Sequence, residues 1–282
     1  MSVRLAKKVG FCFGVKRAVA MAEAALKKNK PIYSLGSIIH NRQVVEDLSR
    51  KGLKVIDDAN KTKGGLLVIS SHGLSPKIAR DIAGRGIKII DTTCPFVLNA
   101  QRIAKRLSDE GYTVVIVGDA RHPEIKALVD FVPKKVFVVK DSREALRLKL
   151  KPDERVSIIS QTTQSMANFL DVIKTVVEHR PKEVRVFNTI CNDAEERQRF
   201  ASRMAKEVGL MLVVGGKNSA NTRRLLEVCK KTLKSSHLVE TDKELRKAWF
   251  KKGQVVGITS GASTPDWMVQ KVVNKIKKKG AA

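Results

Sequence analysis

Three cysteines, Cys12, Cys94 and Cys191, each open the same run of residues, so the chain is constrained to fold one unit three times. A glycine stands 24 residues after each of them, at Gly36, Gly118 and Gly215. A polar residue stands 28 residues after, at His40, His122 and Ser219. Each glycine ends an apolar run (31–35, 113–117, 210–214) that reads as a buried strand. Between cysteine and strand, apolar residues recur at helical spacing. These are Val15, Ala18, Val19, Ala22 and Leu26, then Val97, Ala100, Ile103, Ala104 and Leu107, then Phe200, Ala201, Met204, Ala205 and Val208.

The repeat runs on. A second helical pattern (44–50, 124–131, 222–231) precedes a short strand (53–56, 136–139, 237–239). Another apolar run (66–69, 156–159, 255–258) ends in small polar residues that include His72, Thr162 and Ser263. A last helix follows each. The first two units close with a strand, 87–90 and 184–187, that leads into the next cysteine. The third lacks that strand, and residues 3–9 stand before Cys12 as the closing strands stand before Cys94 and Cys191. The expected fold is α/β: three pseudo-equivalent domains with mainly parallel sheets around a central iron–sulfur site. The expected segments are 13–94, 95–190 and 191–282, the last completed by 1–12. In such sheets ligands gather at the carboxyl ends of the strands, where the recurring polar residues lie.

A thiolate is a soft ligand suited to zinc, copper or iron–sulfur centres, and close-spaced cysteine pairs typical of structural zinc are missing. Three thiols at equivalent positions point to one shared cofactor. On a [4Fe–4S] cubane they leave one iron without a protein ligand, able to act as a Lewis acid. Cys229 matches no repeat position and reads as a packing residue in a helix. His40, His72 and His122 fall at strand ends with Ser219, Asn221, Thr162 and Ser263. As a polar collar they suit a phosphate or diphosphate, and metal ligation by the histidines is the alternative. Glu124 is the carboxylate of this set. It serves either as a helix N-terminal acid or as a proton donor. His179 and His237 read as surface or edge residues.

The residues resemble the iron–sulfur 4-hydroxy-3-methylbut-2-enyl diphosphate reductase family, which catalyses the final step of the methylerythritol phosphate route to isoprenoids. The resemblance is carried, in order along nearly the whole chain, by Gly10-Phe11-Cys12, Ile39-His40-Asn41, Ser71-His72-Gly73, Asp91-Thr92-Thr93-Cys94-Pro95, His122-Pro123-Glu124, Gln161-Thr162-Thr163, Asn188-Thr189-Ile190-Cys191, Lys217-Asn218-Ser219 and Gly261-Ala262-Ser263. It implies that Cys12, Cys94 and Cys191 hold a [4Fe–4S] cluster. It implies that His40, His72, His122, Ser219, Asn221 and Ser263 bind the diphosphate, that Thr162 positions the substrate hydroxyl and that Glu124 delivers protons. The activity implied is reductive dehydroxylation to isopentenyl and dimethylallyl diphosphate. The chain departs from the family pattern at Ala220, where a second serine is usual, at Asp193-Ala194 and within Lys126-Ala127-Leu128.

Lys and Arg number 55 against 28 Asp and Glu, a formal net charge of +27. Such a field speeds encounter with anions. No flavin or nicotinamide fingerprint is present, so the electrons have to come from another protein, and an acidic ferredoxin or flavodoxin suits the charge. With aromatics at 5% and no nucleic-acid-binding motif, specific nucleic-acid recognition is not expected. The basic residues, including Lys275, Lys277, Lys278 and Lys279, read as a solvated surface. No apolar run is long enough for a membrane span, and the expectation is a cytoplasmic monomer or weak dimer. Rival readings are a quinolinate-synthase-like cluster enzyme and a basic nucleic-acid-binding protein.

Overall fold

The computed structural model describes residues 1–28, 30–62 and 64–280. Ala281 and Ala282, the end of the third expected segment, lie outside the described residues. Among the described residues twelve strands form three sheets of four, every pairing parallel. The first sheet has β2 (Ile32–Leu35), β3 (Leu53–Ile56), β4 (Leu66–Ile69) and β5 (Lys88–Asp91), in the order β3-β2-β4-β5. The second has β6 (Thr113–Val117), β7 (Val136–Val139), β8 (Arg155–Ser160) and β9 (Glu183–Val186), ordered β7-β6-β8-β9. The third has β10 (Leu210–Val214), β11 (Ser236–Val239), β12 (Val255–Ser260) and β1 (Ser2–Leu5), ordered β11-β10-β12-β1. The strand order is the same each time, and β1 takes the place that β5 and β9 hold in the other two.

Parallel strands need crossover connections, and helices supply them. They are α1 (Phe13–Leu26), α2 (Arg42–Arg50), α3 (Pro76–Gly84), α4 (Pro95–Asp109), α5 (Pro123–Val129), α6 (Ser142–Ala145), α7 (Met166–Glu178), α8 (Asn192–Ala205), α9 (Ala220–Thr232) and α10 (Asp266–Gly280). Central strands covered on both faces are mainly apolar, as in the buried Thr-Val-Val-Ile-Val of β6. One face of the second sheet packs on Ala104 and Leu107 of α4 with Ile125 and Leu128 of α5. The other packs on Phe169, Val172 and Val176 of α7. The third sheet lies between Val269, Val272 and Ile276 of α10 and a face that includes Ala201, Met204, Leu225 and Cys229. Cys229 is fully buried there and is a packing residue.

The described chain forms two compact units. One holds Met1–Lys16, His40–Val44 and the chain from Asn192 onward, including the third sheet. The other holds Arg17–Ile39 and Val45–Cys191, with the first two sheets. The extended run expected over 3–9 is a strand only over Ser2–Leu5. Leu5 is in register with Ile258, and Ala6 adds one more bond to Ile258 O at 2.8 Å. Beyond that, β12 has only two residues left and the chain turns toward Gly10. No described helix is long and apolar enough to cross a membrane.

Leu212 is fully buried in the middle of β10. Leu212→Ala should lose about 2–5 kcal/mol of stability, read as a drop in urea midpoint at unchanged slope. Leu170→Ala, at an exposed site on α7, should shift it by less than about 0.5 kcal/mol.

Candidate active site

In each sheet the chain passes to one side after the first strand and to the other after the second. This makes a topological switch point between β2 and β4, β6 and β8, and β10 and β12, the place where parallel sheets bind ligands. The segments leaving these strands carry the polar residues singled out from the sequence, and the three cysteines follow β1, β5 and β9.

All three cysteines are held by one type of bond. The Cys12 N–H donates to Ala262 O at 2.9 Å, the Cys94 N–H to Ser71 O at 3.0 Å and the Cys191 N–H to Thr162 O at 2.8 Å. Each acceptor lies two residues past the end of a strand: β12, β4 and β8. Before Cys94 and Cys191 an Asx turn sets the approach. Asp91 Oδ1 accepts from the Thr93 N–H at 2.8 Å, and Asn188 Oδ1 accepts from the Ile190 N–H at 3.0 Å. Thr92 and Thr189 tie these turns back by donating to Ile69 O and Ser160 O. Before Cys12 the device differs: the Gly10 N–H donates to Ser260 Oγ at 2.9 Å. Gly10 has φ +81°, and a Cβ there would collide with the Asp266 carboxylate. Only glycine fits.

Each cysteine stands immediately before a helix, α1, α4 or α8, and all three are half-buried. Helix N-terminal amides favour a thiolate. The Val15 N–H points at Cys12 Sγ at 3.4 Å. Burial pushes the Cys94 thiol up and so does the nearby Glu124 carboxyl; the Phe96 and Val97 amides and the Arg17 charge pull it down. Arg17 also donates to Thr93 O at 3.1 Å. Cys229 has no such support, and burial alone pushes its thiol up to about 12.

In the unit of the first two sheets, Glu124 lies on the first turn of α5 and is only 2% exposed. Its two oxygens accept from the Thr162 N–H and the Thr162 Oγ1–H, both at 2.7 Å. Thr162 therefore joins Glu124, through N and Oγ1, to Cys191, through its carbonyl. His122 caps α5, its Nδ1 accepting from the Glu124 N–H at 3.2 Å. With Nδ1 as acceptor, the proton of a neutral ring lies on Nε2. The His72 ring meets the His122 ring edge to face, centroids 5.4 Å apart. Loops of the first and second sheets thus meet at these two rings.

In the other unit, Ser219 caps α9, its Oγ accepting from the Thr222 N–H at 3.3 Å. Ser263 Oγ donates to His40 O at 3.1 Å. The His40 backbone lies so close to Gly216 that a Cβ there would come within 2.6 Å of the His40 carbonyl. Burial and the Arg223 charge lower the His40 pKa, favouring a neutral ring. Asn221 is 4% exposed, yet neither its Oδ1 nor its Nδ2 has a hydrogen-bond partner among the described residues. A buried primary amide left so costs about 1–3 kcal/mol unless a ligand satisfies it.

Several supporting residues were not evident in the sequence. Gln161 Oε1 accepts from the Asp119 N–H at 3.0 Å and bridges the loops after β6 and β8. Arg197, 2% exposed, donates to Asp193 at 2.6 Å and to Ser260 O at 3.2 Å. Asp193, a departure from the family pattern, is thus bound to an arginine that braces the end of β12. The i,i+4 spacing of Asp193 and Arg197 was the available signal. His237 stacks on Trp249 and His179 caps α7 against Ala145 O; neither joins these clusters.

The LytB protein family model matches residues 3–277. The chain belongs to the LytB family. It is 44% identical over 285 residues to the 4-hydroxy-3-methylbut-2-enyl diphosphate reductase of Geobacter sulfurreducens, covering 99% of this chain and 100% of that one. Among solved structures it is similar to an (E)-4-hydroxy-3-methyl-but-2-enyl diphosphate reductase described as the terminal enzyme of the non-mevalonate pathway. There the TM-score is 0.70 and the identity 39%, over 99% of this chain and 100% of that one. It is also similar to the E-1-hydroxy-2-methyl-but-2-enyl-4-diphosphate reductase of Plasmodium falciparum, with a TM-score of 0.92 and 27% identity over 97% of this chain and 87% of that one. Three parallel α/β sheets are therefore the fold of this LytB protein and of its solved relatives alike.

Burial raises the Glu124 carboxyl above its ordinary value, and the two Thr162 bonds oppose this. With the folded value above the unfolded one, folded chains keep the proton to higher pH. This group therefore lowers stability as pH rises from the unfolded carboxyl range through the raised folded value. Glu124→Gln, which cannot ionise, should gain in thermal midpoint over the wild type as pH rises, the gap being smallest at low pH. Scanning calorimetry from pH 4 to 8 would read it, and a gap that closes with rising pH would refute the assignment.

Proposed function

We propose that this chain reduces 4-hydroxy-3-methylbut-2-enyl diphosphate to isopentenyl and dimethylallyl diphosphate, the last step of the methylerythritol phosphate route. The allylic C–O bond breaks, two electrons and two protons enter, one proton leaves with the hydroxyl as water and the other ends on carbon. The single observation that carries this reading is Thr162. One residue binds a buried carboxyl through N–H and Oγ1–H and the backbone of a cysteine through its carbonyl. A proton source and a redox ligand are thereby locked to one strand end.

Three half-buried thiols at helix N-termini are a donor set that fits iron–sulfur ligation. A [4Fe–4S] cluster held by Cys12, Cys94 and Cys191 would supply electrons and a Lewis-acidic iron. The chain's own residues do the rest. Glu124, whose burial favours the protonated form, delivers protons in this reading. Thr162 Oγ1 orients the carboxyl and the substrate hydroxyl. His40, His72, His122, Ser219, Asn221 and Ser263 bind the diphosphate. The unsatisfied amide of Asn221 supports that role. Three repeated domains, 13–94, 95–190 and 191–282 with 1–12, are the units of this arrangement in our reading, supported by the strand order common to the three sheets. The electrons come from an acidic ferredoxin or flavodoxin in the cytoplasm, where thiols also stay reduced.

Anaerobic reconstitution with iron and sulfide, then assay with dithionite-reduced methyl viologen, tests the reading. Cys12→Ala, Cys94→Ala and Cys191→Ala should each lose bound iron and activity, and Cys229→Ala should keep both. Full iron content in any of the first three would remove that cysteine from the ligand set. Asn221→Ala should raise the KM for the diphosphate by about 10- to 100-fold, the worth of one hydrogen bond to a charged oxygen. Glu124→Gln should lower kcat by about 10²- to 10⁴-fold with KM little changed.

A further inference from the structure

Helix α4 starts at Cys94 and turns two apolar side chains outward in its first turn. Phe96 is 38% exposed and Leu98 is 37% exposed. The inner face of the helix is already filled, with Val97, Ala100, Ala104 and Leu107 all buried. The core therefore does not require Phe96 or Leu98 to be apolar. On the outward face Leu98 is followed at i+4 by the exposed Arg102 and then by Lys105 and Arg106. The last two are matched by carboxylates of their own helix end: Lys105 by Asp109 at 2.6 Å and Arg106 by Glu110 at 3.8 Å. A small apolar patch beside a thiol thus runs into a basic stripe.

We propose that Phe96, Leu98 and Arg102 form the docking face for an acidic one-electron carrier protein, an inference that rests on the reductase reading above. Electron transfer weakens steeply with distance, so a productive carrier has to place its redox group close to a cysteine of the cofactor site. The first turn of α4 is covalently next to Cys94. Electron-transfer encounters are small and transient, built from an apolar centre and a charged rim. The chain carries +27, so the complementary partner is acidic, whereas a second copy of this chain would repel the patch. Each docking event oxidises one reduced carrier by one electron and reduces the cofactor of this chain by one. Two events supply each hydroxyl removal.

The test uses the reconstituted holoenzyme with two donors, reduced plant-type ferredoxin and dithionite-reduced methyl viologen. Leu98→Glu and Arg102→Glu should each raise the KM for ferredoxin by about tenfold or more, and Arg102→Lys should retain most of the wild-type value. With viologen all three should stay within about twofold of wild type. Added salt should raise the ferredoxin KM of the wild type more than that of Arg102→Glu. An unchanged ferredoxin KM in both charge variants overturns the docking face, and so does an equal loss with both donors. A shift in sedimentation of the wild type that Leu98→Glu abolishes would assign the patch to self-association instead, also overturning it. Failure of the wild type with viologen would strike the reductase reading, which the variants do not address.

Discussion

A carboxyl group taken almost completely out of water and gripped by one threonine is the constraint on which the candidate site depends. Glu124 accepts both polar protons of Thr162, and the Thr162 carbonyl accepts the N–H of Cys191. Burial without these bonds would leave an acid with no fixed orientation. With them, the carboxyl is held beside the loop of a thiol and kept neutral at higher pH than an ordinary glutamate. The same burial that holds the proton weakens the fold once that proton is lost.

Parallel sheet topology makes this geometry repeatable. In each sheet the two central strands end at a switch point, and the loop after the second of them presents a carbonyl to a cysteine N–H. Backbone bonds fix the thiols, so the side chains near them are free to differ. The second unit of the repeat uses His122 as a helix cap and the third uses Ser219. In the first, the cap passes to Asn41, whose Oδ1 accepts from the Val44 N–H at 3.2 Å, and His40 stands one residue before it. Three helix starts are thus capped by three different side chains around one backbone plan. Asn221 is buried on α9 with neither polar atom of its side chain satisfied among the described residues.

Much of this was legible in the residues. Thr113 to Val117 and Leu210 to Val214 read as buried strands because five consecutive apolar or β-branched residues that end at a glycine have few other fates, and they are strands. Helical faces such as Ala100, Ala104 and Leu107 follow from their spacing, and they are buried. The run before Cys12 was harder. Its pattern extends to Val9, but the ladder with β12 ends at Leu5 opposite Ile258, two residues before β12 itself ends, and where a ladder ends is invisible in a strand's own residues. In the sequence Asp193 is only a departure from the pattern of the family it resembles. Only the fold shows that it binds Arg197, which holds the Ser260 carbonyl, 63 residues away along the chain.

The sequence by itself determined the repeat, the three thiols at its equivalent points, the polar set at the strand ends and the irrelevance of Cys229 to that set. These follow from local rules, the periods of helix and strand and the reactivity of each side chain, which need no partner to be stated. Tertiary structure alone decided which carbonyl holds each cysteine, that Glu124 is buried rather than a solvated helix acid, and that Asn221 is unsatisfied. Those depend on residues brought together from distant positions. Burial and hydrogen bonding are properties of that juxtaposition and of no single stretch of chain.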